Sequence, residues 1–164
     1  MDTSVTPTRI AMNMGAVTAA LMLVVLVFGL QILGWLVFVG GIYYGMSRFR
    51  KEAGGSISYI KALYAGIQTA FFTSVILAFA GYMTTTLDTS LIVAMLDAVE
   101  QQLLASEVPS GLVETAMQQW RGVFSPVIFA IMIVFAYSAT GVFAGMICAL
   151  FVWKEPSRRL VGEF

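Results

Sequence analysis

Between Arg9 and Arg48 the chain runs through 38 consecutive residues without a charge, Ile10 to Ser47. As one straight helix this run would reach roughly 57 Å, about twice the ~30 Å hydrocarbon core of a bilayer. It must therefore fold back on itself. The turn is predicted at Phe28-Gly29-Leu30-Gln31, where Gly29 relieves the backbone and Gln31 is the only strongly polar side chain near the middle. That places a first span at about 9–28 and a second at about 31–48. Two further uncharged runs, Ala62 to Leu87 and Gly122 to Trp153, predict a third span at about 58–86 and a fourth at about 125–153. Ser56 or Ser58, after Gly54-Gly55, offers the N-cap of the third. Ser125-Pro126 reads as N-cap plus first helical proline for the fourth, and Pro156 prevents continuation past Trp153. The last two spans exceed what a bilayer needs, so tilt or projection beyond it is expected.

Composition agrees. Of 164 residues, 59% are hydrophobic and 11% charged, where a soluble domain has about 45–50% and about 25%. A chain this short buries only about 70% of its unfolded surface, so a soluble monomer is excluded. There is no His, which removes the commonest general base and metal ligand, and the single Cys148 lies in an apolar run with no intrachain partner. A cleaved signal peptide is the competing reading of the first span. With one basic residue, Arg9, and no small-residue cleavage site after the run, an uncleaved span is expected.

The charges set the orientation. Arg9, Arg48, Arg50, Lys51, Lys61, Lys154, Arg158 and Arg159 all fall on one side of a four-span topology. The connection between spans three and four holds only Arg121, against Asp88, Asp97, Glu100, Glu107 and Glu114. The positive-inside rule then puts both termini in the cytoplasm. Tyr43, Tyr44, Tyr59, Tyr64 and Trp153 near the cytoplasmic ends, and Trp35, Tyr82 and Trp120 near the outer ends, form the expected interfacial belts, with Tyr137 in mid-span.

Residues 88–121 are more than a loop. Leu91, Met95, Val99 and Leu103 recur every four residues beside Ile92 and Leu96, with Asp97, Glu100 and Gln101 on the other side. Pro109-Ser110-Gly111 breaks this helix, and a second one gathers Val113, Met117, Trp120 and Phe124 opposite Glu114, Gln118 and Arg121. One reading is a helical hairpin lying on the outer bilayer surface or capping the bundle. The other is a docking surface for a partner, with Asp97, Glu100 and Glu114 as its recognition face. The acidic face argues against anionic lipid, because lipid-surface helices are Lys/Arg-rich.

In the third span Ala62, Gly66, Ala70, Ser74 and Ala78 are small residues at strict four-residue spacing. Gly41 and Gly45 in the second span and Gly141 and Gly145 in the fourth offer similar surfaces. In lipid, where packing rather than hydrophobicity drives association, such ridges let helices approach closely, within one chain or across a homodimer seam. Catalysis needs groups that hold a proton, bind a metal or attack. No Asp, Glu, Lys, Arg or His lies within the uncharged runs, Cys148 has no base in its span, and no metal-ligand spacing occurs. No enzyme activity, cofactor or metal is expected. Asn13, Gln68, Thr69, Thr73, Ser74, Tyr137, Ser138 and Thr140 remain as uncharged polar groups, lining either a narrow path or the hydrogen bonds between helices. The cluster Arg48, Arg50, Lys51, Arg158 and Arg159 suits anionic headgroups and topology signalling equally.

The stretch Gly54-Gly55-Ser56-Ile57-Ser58-Tyr59-Ile60-Lys61-Ala62 resembles the Gly-Gly-x-Ile-[Ser/Thr]-[Phe/Tyr]-x-x-Ala entry to the third helix of an uncharacterised bacterial family, domain of unknown function 4199. The likeness extends to the layout: two close spans, a basic loop, a long span, an acidic helical segment and a Pro-led span with a basic tail. It implies a bacterial inner-membrane protein and supplies no activity, ligand or catalytic residue.

The expectation is therefore an all-α fold over 1–164, one membrane domain of four transmembrane helices with an extracytoplasmic amphipathic hairpin between helices three and four. The expected role is a non-enzymatic accessory or scaffold subunit acting through helix–helix association. The alternative is a small oligomeric transporter or channel. Its expected partners are the lipid bilayer and either another membrane protein or further copies of itself, and no nucleic acid.

Overall fold

The computed structural model describes residues 7–106 and 108–153. Glu107, Lys154, Pro156, Arg158 and Arg159, which enter the charge and boundary arguments above, lie outside the described residues. Among the described residues there are six helices and no strand: α1 Pro7–Val27, α2 Gln31–Glu52, α3 Tyr59–Leu87, α4 Ser90–Ala105, α5 Ser110–Val123 and α6 Pro126–Val152. The four helices α1, α2, α3 and α6 are long and apolar enough to cross a membrane. At 1.5 Å per residue α3 extends roughly 43 Å and α6 roughly 40 Å, whereas α4 and α5, of 16 and 14 residues, are too short to span.

The breaks follow local chemistry. Gly29 takes φ 71° between α1 and α2, a left-handed conformation that glycine enters without steric cost. α2 continues one turn beyond the predicted 48, to Glu52, with Arg50 and Lys51 in its last turn, where cations favour the negative end of the helix dipole. Gly54 and Gly55, at φ 86° and 88°, then stop it. The Ser58 carbonyl accepts the Ala62 N–H at 3.0 Å, so α3 begins just after Ser58. At α6 the Ser125 side chain accepts the Ile128 N–H at 3.4 Å, its carbonyl accepts the Phe129 N–H at 2.9 Å, and Pro126 occupies the first helical position.

The chain divides into two compact units, Met1–Ile76 with Phe135–Phe164, and Leu77–Val134, so that α3 and α6 contribute to both. In the first unit α2 buries Phe38, Ile42 and Met46, a stripe at four-residue spacing, and leaves Leu36, Tyr43 and Tyr44 outside. Facing residues are mostly small: Ala11, Thr18 and Ala19 on α1, Ala62, Ala65, Thr69 and Ala70 on α3, Gly141, Gly145 and Ala149 on α6. In the second unit Ile92 and Leu96 of α4 and Val113 and Met117 of α5 form a buried cluster, flanked by Val99, Leu103, Val108, Phe124 and Phe129. The sequence pattern puts Leu91 and Trp120 on the apolar faces, yet they are 48% and 42% exposed. The α4 stripe is centred one residue later, on Ile92 and Leu96.

Candidate functional site

The small residues singled out by spacing lie where backbones come close. A Cβ on Gly66 would strike the Met46 methyl, one on Gly141 would strike the Ala70 Cβ, and one on Gly41 would strike Thr18. At Gly45 it would sit 2.8 Å from Thr69 Oγ1, and at Gly145 3.5 Å from Leu63 Cδ1. Ala62, Ala70 and Ser74 are fully or almost fully buried, and Ala78 is 5% exposed. Gly15, which the spacing argument did not single out, makes the same kind of approach: a Cβ there would lie 2.7 Å from Phe72 Cβ.

Close approach brings hydroxyls inside, and each finds an acceptor. Thr18 Oγ1 donates to the Met14 carbonyl at 2.7 Å and Thr69 Oγ1 to the Ala65 carbonyl at 2.8 Å. Thr73 Oγ1 donates to the Thr69 carbonyl at 2.8 Å and lies 3.3 Å from the Gly15 carbonyl across the helix pair. Ser74 Oγ donates to the Phe71 carbonyl at 2.7 Å; with that proton committed, Ser138 donates to Ser74 across the α3–α6 seam at 3.1 Å. Thr140 is half-buried and only back-bonds to Ala136, and Asn13 is exposed, so neither joins this row. Gln68 Nε2 donates to Thr8 Oγ1 at 3.1 Å, while its buried Oε1 has no partner among the described residues. Such bonds contribute about 0.6–2 kcal/mol each in a membrane protein.

At one end of the first unit two donors reach α6, Arg50 at its terminal carbonyl and Tyr59 at a carbonyl within the helix. Arg50 Nη1 donates to the Val152 carbonyl at 3.0 Å and Tyr59 Oη to the Met146 carbonyl at 3.3 Å. Helix C-termini leave carbonyls without intrahelical partners, and a guanidinium there is favoured by the dipole as well. Arg48 pairs with Glu52 one turn on, at 3.1 Å. Of the basic cluster, then, Arg48 and Arg50 have partners within the protein. Nothing in the sequence pattern pointed to Arg50 as a cap.

The hairpin's acidic face is organised around Arg121. Its Nη2 lies 3.2 Å from Asp97 Oδ1 and 2.9 Å from Glu100 Oε2, which ties α5 to α4. Both contacts are about half exposed, so each is worth little, about 0–1 kcal/mol. Glu114 is exposed on α5 and takes no part in this pairing. The structure thus brings Asp97 and Glu100 together around a cation and leaves Glu114 apart. Arg121 is the lone cation of 88–121, and that was the available signal. Asp88, between α3 and α4, accepts the Ser90 N–H at 2.8 Å, and this bond holds its carboxyl below the usual carboxylate range. Among the described residues no group of three or more His, Cys, Asp or Glu side chains is arranged to hold a metal ion.

A family model described as Protein of unknown function (DUF4199) matches residues 9–154. No curated protein and no solved structure matches the chain.

Proposed function

The chain belongs to the DUF4199 family, and from that premise we propose that it is a non-enzymatic membrane subunit that works by association with another membrane protein. The observation that carries this reading is the closure of the buried hydroxyls. Thr18, Thr69, Thr73, Ser74 and Ser138 are all committed to backbone carbonyls or to one another. A path for an ion or polar solute needs groups that exchange protein partners for the solute, and in this row every hydroxyl proton is already committed, with the unpartnered Gln68 Oε1 standing outside it. The uncharged runs also lack the ionisable side chains that mark proton relays and coupled transport. What the molecule has in abundance is surface for other helices.

The basic residues on one side of the topology favour an inner-membrane location with both termini cytoplasmic and 88–121 outside. One experiment addresses association and orientation together. The protein is purified in mild detergent and also reconstituted in vesicles, and a Cys148→Ala, Ser106→Cys variant is labelled in intact cells with a membrane-impermeant reagent. A stoichiometric foreign subunit, no solute flux and labelling without lysis are expected. A lone homo-oligomer with flux would overturn the association reading, and labelling only after lysis would overturn the orientation.

A further inference from the structure

Packing of the first unit is open beside Gly34. Gly34 on α2 is buried, yet a Cβ built on it meets no atom within 4 Å. Two turns further along the same helix, a Cβ on Gly41 would strike Thr18. Protein interiors pack like organic crystals, so a buried glycine facing empty space marks a void. The void measures about 150 Å³ and is lined by Met22, Leu26, Gly34, Trp35 and Tyr137. Its lining mixes apolar side-chain surface with polar atoms. Leu26 and Trp35 are 39% and 49% exposed, so the void opens to whatever surrounds the unit.

Its walls are of two kinds. Met22 and Leu26 are apolar. Trp35 stacks on Tyr137 with centroids 5.8 Å apart, and Tyr137 meets the buried Phe38 edge-on at 5.3 Å, so the aromatic wall is held in place. Tyr137 is half-buried and its Oη has no hydrogen-bond partner among the described residues, which leaves the hydroxyl free to donate. No lining residue is charged. Trp35 follows Leu30, at the helix reversal, by five residues, roughly 7–8 Å along the axis. Aromatic rings with polar handles settle at the headgroup level of a bilayer, and Tyr137, expected in mid-span, instead stacks on Trp35 near the helix reversal.

We propose that this void holds a short stretch of acyl chain from a bilayer phospholipid, with the ester carbonyl accepting the Tyr137 hydroxyl proton. The chain lies against Met22 and Leu26 and fills the space beside Gly34. A neutral ester suits the site and a free fatty acid does not, because its carboxylate would be taken from water with no cation to offset the cost. The inference depends on the membrane character of the helices and is independent of the association reading.

The test uses Trp35 as its own reporter. With Trp120→Phe and Trp153→Phe it is the sole tryptophan of the three in the chain. Delipidated protein in detergent is titrated with dibrominated dioleoylphosphatidylcholine, whose bromines quench only on close contact. Saturable quenching at a low lipid-to-detergent ratio is expected. Gly34→Leu should raise the half-saturating ratio by about tenfold or more by occupying the void, and Tyr137→Phe by about fivefold for one lost hydrogen bond. Dibromostearate should saturate at a higher ratio than the phospholipid. If the leucine variant does not fold, Gly34→Ala is read in its place. Quenching that never saturates, an unchanged ratio in the glycine variant that folds, or tighter binding of the stearate would each overturn the proposal.

Discussion

The two units are held together in opposite ways. In the first, α1, α3 and α6 present mainly glycine, alanine, threonine and serine to one large buried stripe, Phe38, Ile42 and Met46 of α2, while Phe143, Phe151 and Ile147 are turned outward. In the second, α4 and α5 meet through Ile92, Leu96, Val113 and Met117, with Asp97, Glu100 and Arg121 on the outside. There the contact between helices is made by large apolar side chains, although Val93, Leu104, Leu112 and Val123 remain exposed around it. The first is the arrangement that lipid demands. Lipid tails are as apolar as leucine, so a large side chain gains little by turning inward, and close backbone approach with hydrogen bonds must do the work. Within 164 residues the chain thus uses two rules of packing.

The contrast makes opposite demands on side-chain volume. Enlarging a small residue should do the greatest harm, and in the first unit. Gly141→Leu drives a Cβ into Ala70, and overpacking of this kind costs about 1–3 kcal/mol, here near the upper end because the contact is at Cβ itself. Thermal unfolding in detergent should show it, whereas Phe143→Leu, two residues away and 66% exposed, should stay within about 0.5 kcal/mol. Equal losses would break the comparison.

Shrinking a large residue should do the next greatest harm, and in the second unit. Met117→Ala empties the centre of the α4–α5 cluster, and a small two-helix core relaxes enough to keep the loss at about 2 kcal/mol, the low end for such changes. Amide hydrogen exchange should quicken across Ser90–Ala105 and Ser110–Val123 while the amides around Thr69 and Thr73 stay protected. Uniform quickening throughout the chain would show that the two units do not differ in this way.

The smallest effect belongs to the ion pairs. Arg121→Gln releases Asp97 and Glu100 at half-exposed positions, so the loss should be at most about 1 kcal/mol and should vanish in high salt. A larger, salt-insensitive loss measured in the same exchange experiment would mean that charge, rather than apolar burial, holds the hairpin.

These two sets of rules also explain what the sequence revealed. Uncharged runs, Gly29 and Ser125-Pro126 mark helix ends because a bilayer tolerates neither charge nor open backbone, so the four long helices were legible, except for the charged last turn of α2 beyond residue 48. The phase of α4 was not. Leu91, Ile92, Val93, Met95 and Leu96 crowd so many apolar residues together that several faces qualify, and only the position of α5 selects Ile92 and Leu96. Arg121 was visible as a lone cation, but its two carboxylates come from another helix, more than 20 residues away. Gly34 was equally hidden. A void is defined by what five residues on three helices fail to fill, and spacing along one helix carries no record of that.

The donors that reach α6 have a consequence in time. Arg50 precedes the Val152 carbonyl by 102 residues, and Tyr59 precedes the Met146 carbonyl by 87. At about 5–20 residues per second, a ribosome needs roughly 5–20 s to travel from the donor to its acceptor. Throughout that interval the first three long helices exist without the fourth, with the Ala70 and Ser74 face of α3 unmatched by Gly141 and Ser138. α6 is therefore the helix that closes the bundle, and a chain cut short before it leaves the seam on α3 open.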